Sequence, residues 1–355
     1  MQKDFHHAVT YVVARLAGFE QDKARIIAHS AQYVDDATEN ALIKFDNKAL
    51  FQRIYSSHKM LSPQNMVDLD SHRTWLPFHF LPGNENRAVG TFERGAFINK
   101  IICHPDSHVA QDMVRMTIEQ QDRPYSLHRL GVSMHVYADT WAHQGFAGVW
   151  HKINKTEDVS EQEVTGFFET LTTAFRDFTD DLVPPLGHGQ AGTLPDMPFL
   201  KWKYKNGLGV SIERDNTTDF VEAANQMCRA MQRYILKDVH ADVPGMSAGN
   251  QEKFRDNFKD FKSDDGEVRH GLWVDAIANG EFPELAGDDP LTYIIGNEVG
   301  SWKFEALGVF EEKVTDYKYP EQFLTSDWKK FHDAIYAHRF QMIHEVFPRY
   351  GICVA

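Results

Sequence analysis

Three side chains able to ligate a metal recur at intervals of four in the stretch His135-Val-Tyr-Ala-Asp139-Thr-Trp-Ala-His143. Four residues of α-helix advance about 400°, so His135, Asp139 and His143 share one face and drift by about 40° per step. His135 and His143 would stand about 12 Å apart along such an axis, too far to serve one ion. The spacing therefore implies two metals, with Asp139 placed between them. The apolar neighbours Val132, Met134, Val136, Ala138 and Ala142 put this polar face in a core, where an unpaired carboxylate is costly. The competing explanation is a buried polar stripe satisfied by neighbouring hydrogen bonds.

Other donors fall at helix ends or in loops. His6 shares the core-facing side of a first helix with Val9 and Val13, and its neighbour His7 is the alternative. Asp35 continues the face of Ala24, Ala28 and Ala31 on a second helix, while Asp36 caps or supports it. Both acids also read simply as a helix end. In Leu76-Pro-Phe-His79-Phe-Leu-Pro, an imidazole is held between bulky apolar residues and two prolines, to face a metal or merely to pack. His188 and Asp196 lie in a loop rich in glycine and proline, where glycine permits close approach of backbone to an ion or phosphate.

The elements that must position these groups are mostly helical. Phe5, Val9, Val12, Val13 and Leu16 mark the first helix, which Gly18 ends. A second starts near Asp22. Residues 61–85 read as a proline-interrupted loop with Pro63, Pro77 and Pro82. Helical patterns follow over about 87–102, 107–121, 126–150 and 160–181, the last opening on a capping box of Ser160 and Glu163. Another spans about 217–237, capped by Asp215, Asn216 or Thr217. Residues 238–292 are acidic and loop-rich with shorter helices, and a final helix over about 326–346 has Trp328, Phe331, Ile335 and Phe340 on its apolar face. No long alternating strand pattern or internal repeat is visible. The expected class is all-α, with a helical core over 1–236 and a helical extension over 237–355 packed on it, or with the two forming one single domain.

The 355 residues are long enough for a large core, and 42% hydrophobic with 25% charged residues is ordinary for a globular protein. No stretch reads as a transmembrane helix. The start lacks the basic and apolar regions of an export signal, so the expected compartment is the cytoplasm, or release by a signal-independent route. Cys103, Cys228 and Cys353 have no metal-type spacing. With 18 histidines and 51 acidic residues, a metal would take nitrogen and oxygen ligands, which suits zinc, manganese or iron. A net charge of -14 argues against a broad grip on duplex nucleic acid, but bound cations would reverse the field locally and admit a phosphate. Lys201-Trp-Lys-Tyr-Lys is a small basic-aromatic patch that suits single strands or an exposed strand with Trp202 packed inward.

An early histidine, an aspartate closing the second helix, Pro-Phe-His79-Phe, His135-x3-Asp139 and later His and Asp residues together resemble zinc-dependent phospholipase C and the single-strand-specific zinc nucleases. The resemblance covers residues 1 to about 200. It implies a helical fold around two or three zinc ions, with Asp35, His79, His135 and Asp139 holding a bridged pair, His143, His188 and Asp196 a separate ion, and His6 the early position. Enzymes of that group ligate metal with their N-terminal amine, whereas five residues precede His6 here. His143 follows Asp139 by four residues instead of six, and His188 precedes Asp196 by eight instead of three or four. Asp-Phe-His, Gln-Tyr-Val-Asp-Asp-Ala-Thr and Ala-His-Gln-Gly-Phe also look like a bacterial family of uncharacterised proteins.

The resemblance implies hydrolysis of a phosphoester, in a phospholipid, a nucleotide or single-stranded nucleic acid. Metal-activated water would be the nucleophile. Asp35 would orient and deprotonate it, and Asp139 would bridge the ions. Other enzyme classes lack their letters. His332-Asp333 has no later aspartate, His344-Glu345 is not followed by a second histidine, and paired Glu-x-x-His, Walker, Gly-x-Gly-x-x-Gly and Gly-x-Ser-x-Gly motifs are absent. The alternative is a non-catalytic helical binding or toxin-like module that keeps a metal cluster for stability or has lost it. Oligomeric state leaves no mark in the sequence.

Overall fold

The computed structural model describes residues 1–58, 68–91, 95–161, 186–308 and 317–354. A π-helical turn, Asp4–Val9, runs into α1 (Thr10–Ala17), which Gly18 stops with φ 108°, a left-handed cap that glycine adopts without a Cβ penalty. After it come α2 (Gln21–Asp36), a small hairpin of β1 (Leu42–Lys44) and β2 (Leu50–Gln52), α3 (Asp68–Phe78) and α4 (Phe97–Ile101). Helix α5 (His108–Glu119) is capped by the Ser107 hydroxyl, and α6 is Ser126–Ala142. Strands β3 (Thr156–Glu161), β4 (Lys201–Asn206) and β5 (Ser211–Asp215) form an antiparallel sheet in that order. Asp215 then caps α7 (Asn216–Leu236), followed by α8 (Ala248–Asp260), α9 (Gly266–Ala278), α10 (Trp302–Leu307) and α11 (Asp327–Gln341).

Helix α6 is the axis of the molecule. Every residue from His128 to Ala142 is buried, so the helix is enclosed all round, which a mixed apolar and polar sequence tolerates only where the polar groups find partners. Helices α2, α5, α7 and α11 surround it. The α2 crossing is close because α6 offers Gly131 there: a Cβ at that position would stand 2.3 Å from the Ile27 carbonyl oxygen and 2.6 Å from Ser30 Cβ. The main core joins Phe5, Val9 and Val12 to Phe220 and Met227 of α7, Phe254 and Phe258 of α8 and Trp273 of α9. Residues beyond 236 thus share one apolar interior with the first helix.

The expectation of an all-α chain is corrected: the described residues are 55% helical with 10% strand. The overlooked strands are short and their signal was local. In β4, Trp202, Tyr204 and Asn206 are buried while Lys203 and Lys205 are exposed, a period of two over too few residues to stand out. Trp202 and Tyr204 belong to the core cluster beneath the sheet, so the basic-aromatic patch has no exposed ring on which a base could stack.

Element boundaries also shift. Residues 68–78 are helical, with Pro77 in the last turn, where the carbonyl of Pro77 accepts from His338 Nε2 at 2.8 Å. Of the expected helix over 87–102, only Phe97–Ile101 forms among the described residues. The long helix ends at Ala142 because Gly145 turns the chain at φ 87°. Ser160 and Glu161 lie in β3, and residues 162–181 of the expected helix lie outside the described residues. Phe340 is 52% exposed, unlike Trp328, Phe331 and Ile335. No described helix is long and apolar enough to cross a membrane.

Candidate metal centre

The eight sequence-selected donors converge. His6 with Asp35 and His135, His79 with His135 and Asp139, and His143 with His188 and Asp196 form three groups, in each of which the candidate ligand atoms lie within 4.8 Å of one another. His135 belongs to two of them, so those two are one continuous set. Helix α6 supplies His135 and Asp139 directly and His143 as its C-terminal cap. Asp35 sits in the last turn of α2, held near His135 by the Gly131 crossing. His79 follows the end of α3, whose last-turn proline closes the helix there. His188 caps one short 3₁₀ segment and Asp196 ends another, so the seven residues between them fold back on themselves.

Hydrogen bonds fix which ring nitrogen each histidine leaves free. His135 Nδ1 donates to the Ala31 carbonyl at 2.8 Å, His143 Nδ1 to that of His79 at 2.7 Å, His188 Nδ1 to that of Gly192 at 2.7 Å, and His79 Nε2 to that of Ser56 at 2.9 Å. A carbonyl only accepts, so in each ring the donating nitrogen carries the proton and the other presents a lone pair. Those other nitrogens all face the cluster. Orientation of a ligating imidazole by a backbone carbonyl is the usual outer support of a metal site. His6 has no such bond to a carbonyl: its Nδ1 is buried without a hydrogen-bond partner, and its Nε2 lies 3.2 Å from Asp139 Oδ1. Lone pairs and carboxylates crowded together in a buried site fit a cation better than they fit a solvent-free core.

The α-amine of Met1 joins the same cluster, at 2.7 Å from Asp139 Oδ1, 3.1 Å from Asp196 Oδ1 and 3.5 Å from His143 Nε2. The residues preceding His6 do not lead away from it, because Phe5 N and His6 N both donate to the Gln2 carbonyl at 3.0 Å and wind the segment back into the first helical turn. Spacing alone does not reveal this, since a peptide start carries no side-chain signature.

The electrostatics are those of a crowded, desolvated site. Burial opposes ionisation of Asp139, but His143, the Met1 amine and His135 hold its carboxyl well below the usual range. Burial likewise opposes Asp196, and the Met1 amine and His188 hold it down. The Met1 amine itself, lowered by burial and raised more strongly by Asp139 and Asp196, reaches about 11. Asp35 goes the other way. About a third of its side chain opens to the cleft, with 32% exposure, yet it lies deep enough that desolvation, aided by the Asp139 charge, raises it well above the carboxylate range. Two carboxylates close together with opposed shifts are the arrangement in which one stays ionised and the other is able to exchange a proton.

The alternatives at two positions separate cleanly. His7 points away, its Nδ1 2.9 Å from His270 Nε2. Asp36 accepts from Tyr293 Oη at 2.5 Å and from Gln32 Nε2 at 3.2 Å. The cluster floors a cleft of about 530 Å³. Trp75, Phe80 and Leu186 supply an apolar wall, and Lys3, Asp265 and Glu267 a charged rim. Asp265 and Glu267 lie beyond the stretch that suggested a site, and nothing in their local sequence marks them.

Neither the curated proteins nor the solved structures yield a match to this chain. A model of a family of unknown function, DUF6765, matches residues 1–346. That span is nearly the whole chain and includes every donor described above, so the protein belongs to the family of unknown function DUF6765.

Proposed function

We propose that this protein is a metal-dependent phosphoesterase, hydrolysing a phosphodiester or phosphomonoester with water. The observation that carries the reading is the convergence of eight His and Asp donors, six of which line an open cleft, with the free nitrogens of four histidines turned inward by backbone carbonyls. Nitrogen and oxygen donors in this ratio suit zinc, with manganese or iron as alternatives. Divalent ions held by these groups would supply Lewis acidity toward a phosphoryl oxygen and a more acidic water.

The chain's own residues then divide the work. Asp139 lies between the two halves of the donor set: its Oδ2 is 3.3 Å from His135 Nε2, its Oδ1 is 3.2 Å from His6 Nε2, and the His143 ring stands on its other side, with the carbonyl-bonded Nδ1 3.6 Å from Oδ2. Asp35, with about a third of its side chain open to the cleft, is placed to accept a proton from the attacking water. Water oxygen forms a bond to phosphorus as the ester P–O bond breaks, and the proton that water gave up returns, from Asp35 or through solvent, to the departing alkoxide. Trp75, Phe80 and Leu186 exclude solvent from one side and accept the less polar part of the ester. On the rim Lys3 pairs with Glu267 at 2.6 Å and Asp265 adds a further negative charge, which offers no basic track for a long polyanion, so the reading favours a compact ester.

Turnover of bis-p-nitrophenyl phosphate tests it. Hydrolysis that is lost on chelation, restored by zinc and abolished in Asp35→Ala supports the enzyme. Stoichiometric metal with no turnover of any phosphodiester or phosphomonoester tried would instead favour a metal-stabilised binding module.

A further inference from the structure

Arg269 of α9 is fully buried, and its guanidinium reaches toward the metal centre from the far end of the sequence. Nε donates to Asp4 Oδ2 at 2.6 Å and Nη2 to Asp4 Oδ1 at 3.3 Å, a two-pronged grip. Nη2 also donates to Gln2 Oε1 at 2.6 Å and to the Asp196 carbonyl at 3.4 Å, while Nη1 donates to the Ser263 carbonyl at 2.5 Å. The same stretch approaches the N-terminal segment at two further points. A Cβ on Gly266 would meet Gln2 Oε1 at 2.6 Å, and His270 meets His7.

Asp4 opens the turn that carries His6, Gln2 precedes it, and Asp196 is itself a donor. One side chain therefore ties the N-terminal segment bearing His6 to the turn bearing Asp196. His6 needs such support, since no backbone carbonyl orients its ring, its Nδ1 has no hydrogen-bond partner, and its neighbours in space are the stacked His135 ring at 3.8 Å and the Asp139 carboxylate, 3.2 Å from Nε2. The planar fork of arginine can hold a carboxylate and an amide at fixed angles, which a lysine ammonium cannot.

We infer that Arg269 is a positioning residue of the metal centre: by fixing Gln2, Asp4 and the Asp196 backbone relative to one another, it seats His6 in the cluster, so that α9 completes a site whose donors all lie before residue 200. The inference rests on the metal-binding reading above. It assigns to the C-terminal third of the chain a part in metal binding that the donors alone do not reveal.

The test counts metal. Full-length protein is loaded with zinc, dialysed and analysed by inductively coupled plasma mass spectrometry, and zinc affinity is followed by competition with a chromophoric chelator. Four variants are compared with the parent: His6→Ala, Arg269→Lys, Gln2→Ala, and the paired Arg269→Met with Asp4→Leu, which removes both buried charges together and leaves neither stranded. Second-tier supports of a metal typically contribute 10- to 100-fold in affinity. Arg269→Lys and the paired variant are therefore expected to bind one zinc equivalent about tenfold or more weakly, the same equivalent that His6→Ala loses, while the remaining zinc and the melting temperature of the chelated protein stay close to the parent values. Should the paired variant melt below the assay temperature, Gln2→Ala decides the matter, because it removes one bond and no buried charge; it must weaken that same equivalent. Unchanged zinc stoichiometry and affinity in Arg269→Lys and Gln2→Ala would overturn the inference and leave the metal reading standing. A parent protein that holds no zinc, manganese or iron would overturn both.

Discussion

His79 Nδ1 and His135 Nε2 stand 3.3 Å apart, and in each ring the other nitrogen donates to a backbone carbonyl. Two lone pairs then face each other across a gap lined by Asp139 and Asp35. Without a cation or an extra proton between them this contact is repulsive, and burial disfavours the proton, holding His135 well below its ordinary value. Metal removal is therefore expected to destabilise the fold as well as stop turnover. At free metal about 100 times Kd the linkage is worth about 2.7 kcal/mol. Calorimetry with and without chelator checks it: the melting temperature should fall on chelation and recover on zinc addition, and an unchanged melting temperature would contradict a shared cluster.

Asp35 and Asp36 are adjacent in sequence and opposite in surroundings. Asp35→Asn should reduce turnover by about 100-fold or more, the scale of a lost general base. Asp36→Asn keeps an acceptor for the Tyr293 hydroxyl and is expected to change turnover by less than about tenfold, acting through support alone. Steady-state kinetics on the two variants, with zinc content measured in parallel, distinguishes proton transfer from mere loss of metal. Equal losses in both would remove the special role assigned to Asp35.

Gly131 sets the distance between α2 and α6. A methyl group there meets backbone at Ile27 and the Ser30 side chain, so Gly131→Ala must push the helices apart and carry Asp35 away from His135. Overpacking of this kind costs about 1–3 kcal/mol. Chemical denaturation should show that loss, and zinc affinity should fall although no ligand has been touched. A variant with parental affinity would mean that the crossing tolerates the shift elsewhere.

Acid sensitivity should arise away from the cluster as well. Burial, with Arg53 nearby, lowers His332 to about 3, and burial, with Arg129 nearby, lowers His338 to about 3. Folded values below the unfolded one mean that the unfolded chain binds more protons between pH 6.5 and 3. Their contribution is therefore intact above about pH 6.5 and is lost as the pH falls toward 3. For one such histidine the loss between pH 7 and pH 5 is about 2 kcal/mol. His338→Gln retains a donor for the Pro77 carbonyl but does not titrate. Urea denaturation of the chelated protein at both pH values should give a smaller difference for this variant than for the parent, and an identical difference would be evidence against a neutral buried His338.

The donors were legible in the sequence because metal chemistry restricts residue types and helix geometry restricts spacing: His135, Asp139 and His143 announce a shared face without any knowledge of the fold. His79 and Asp35 were visible through their settings, a proline-bounded apolar loop and a helix end with a continuous small face. The choice of His6 over His7 rested on one apolar periodicity, and the structure places His6 in the cluster and His7 against His270. The strands were not legible, since five or six alternating residues carry too little signal and their stability comes from Trp202 and Tyr204 packing beneath the sheet. Nor were Met1, Arg269, Asp265 and Glu267, which have no local pattern at all. Their roles arise from contacts across some 140 to 270 positions of chain, and only the tertiary structure decides such contacts, because packing a shared core is what brings the two ends of the sequence to one place.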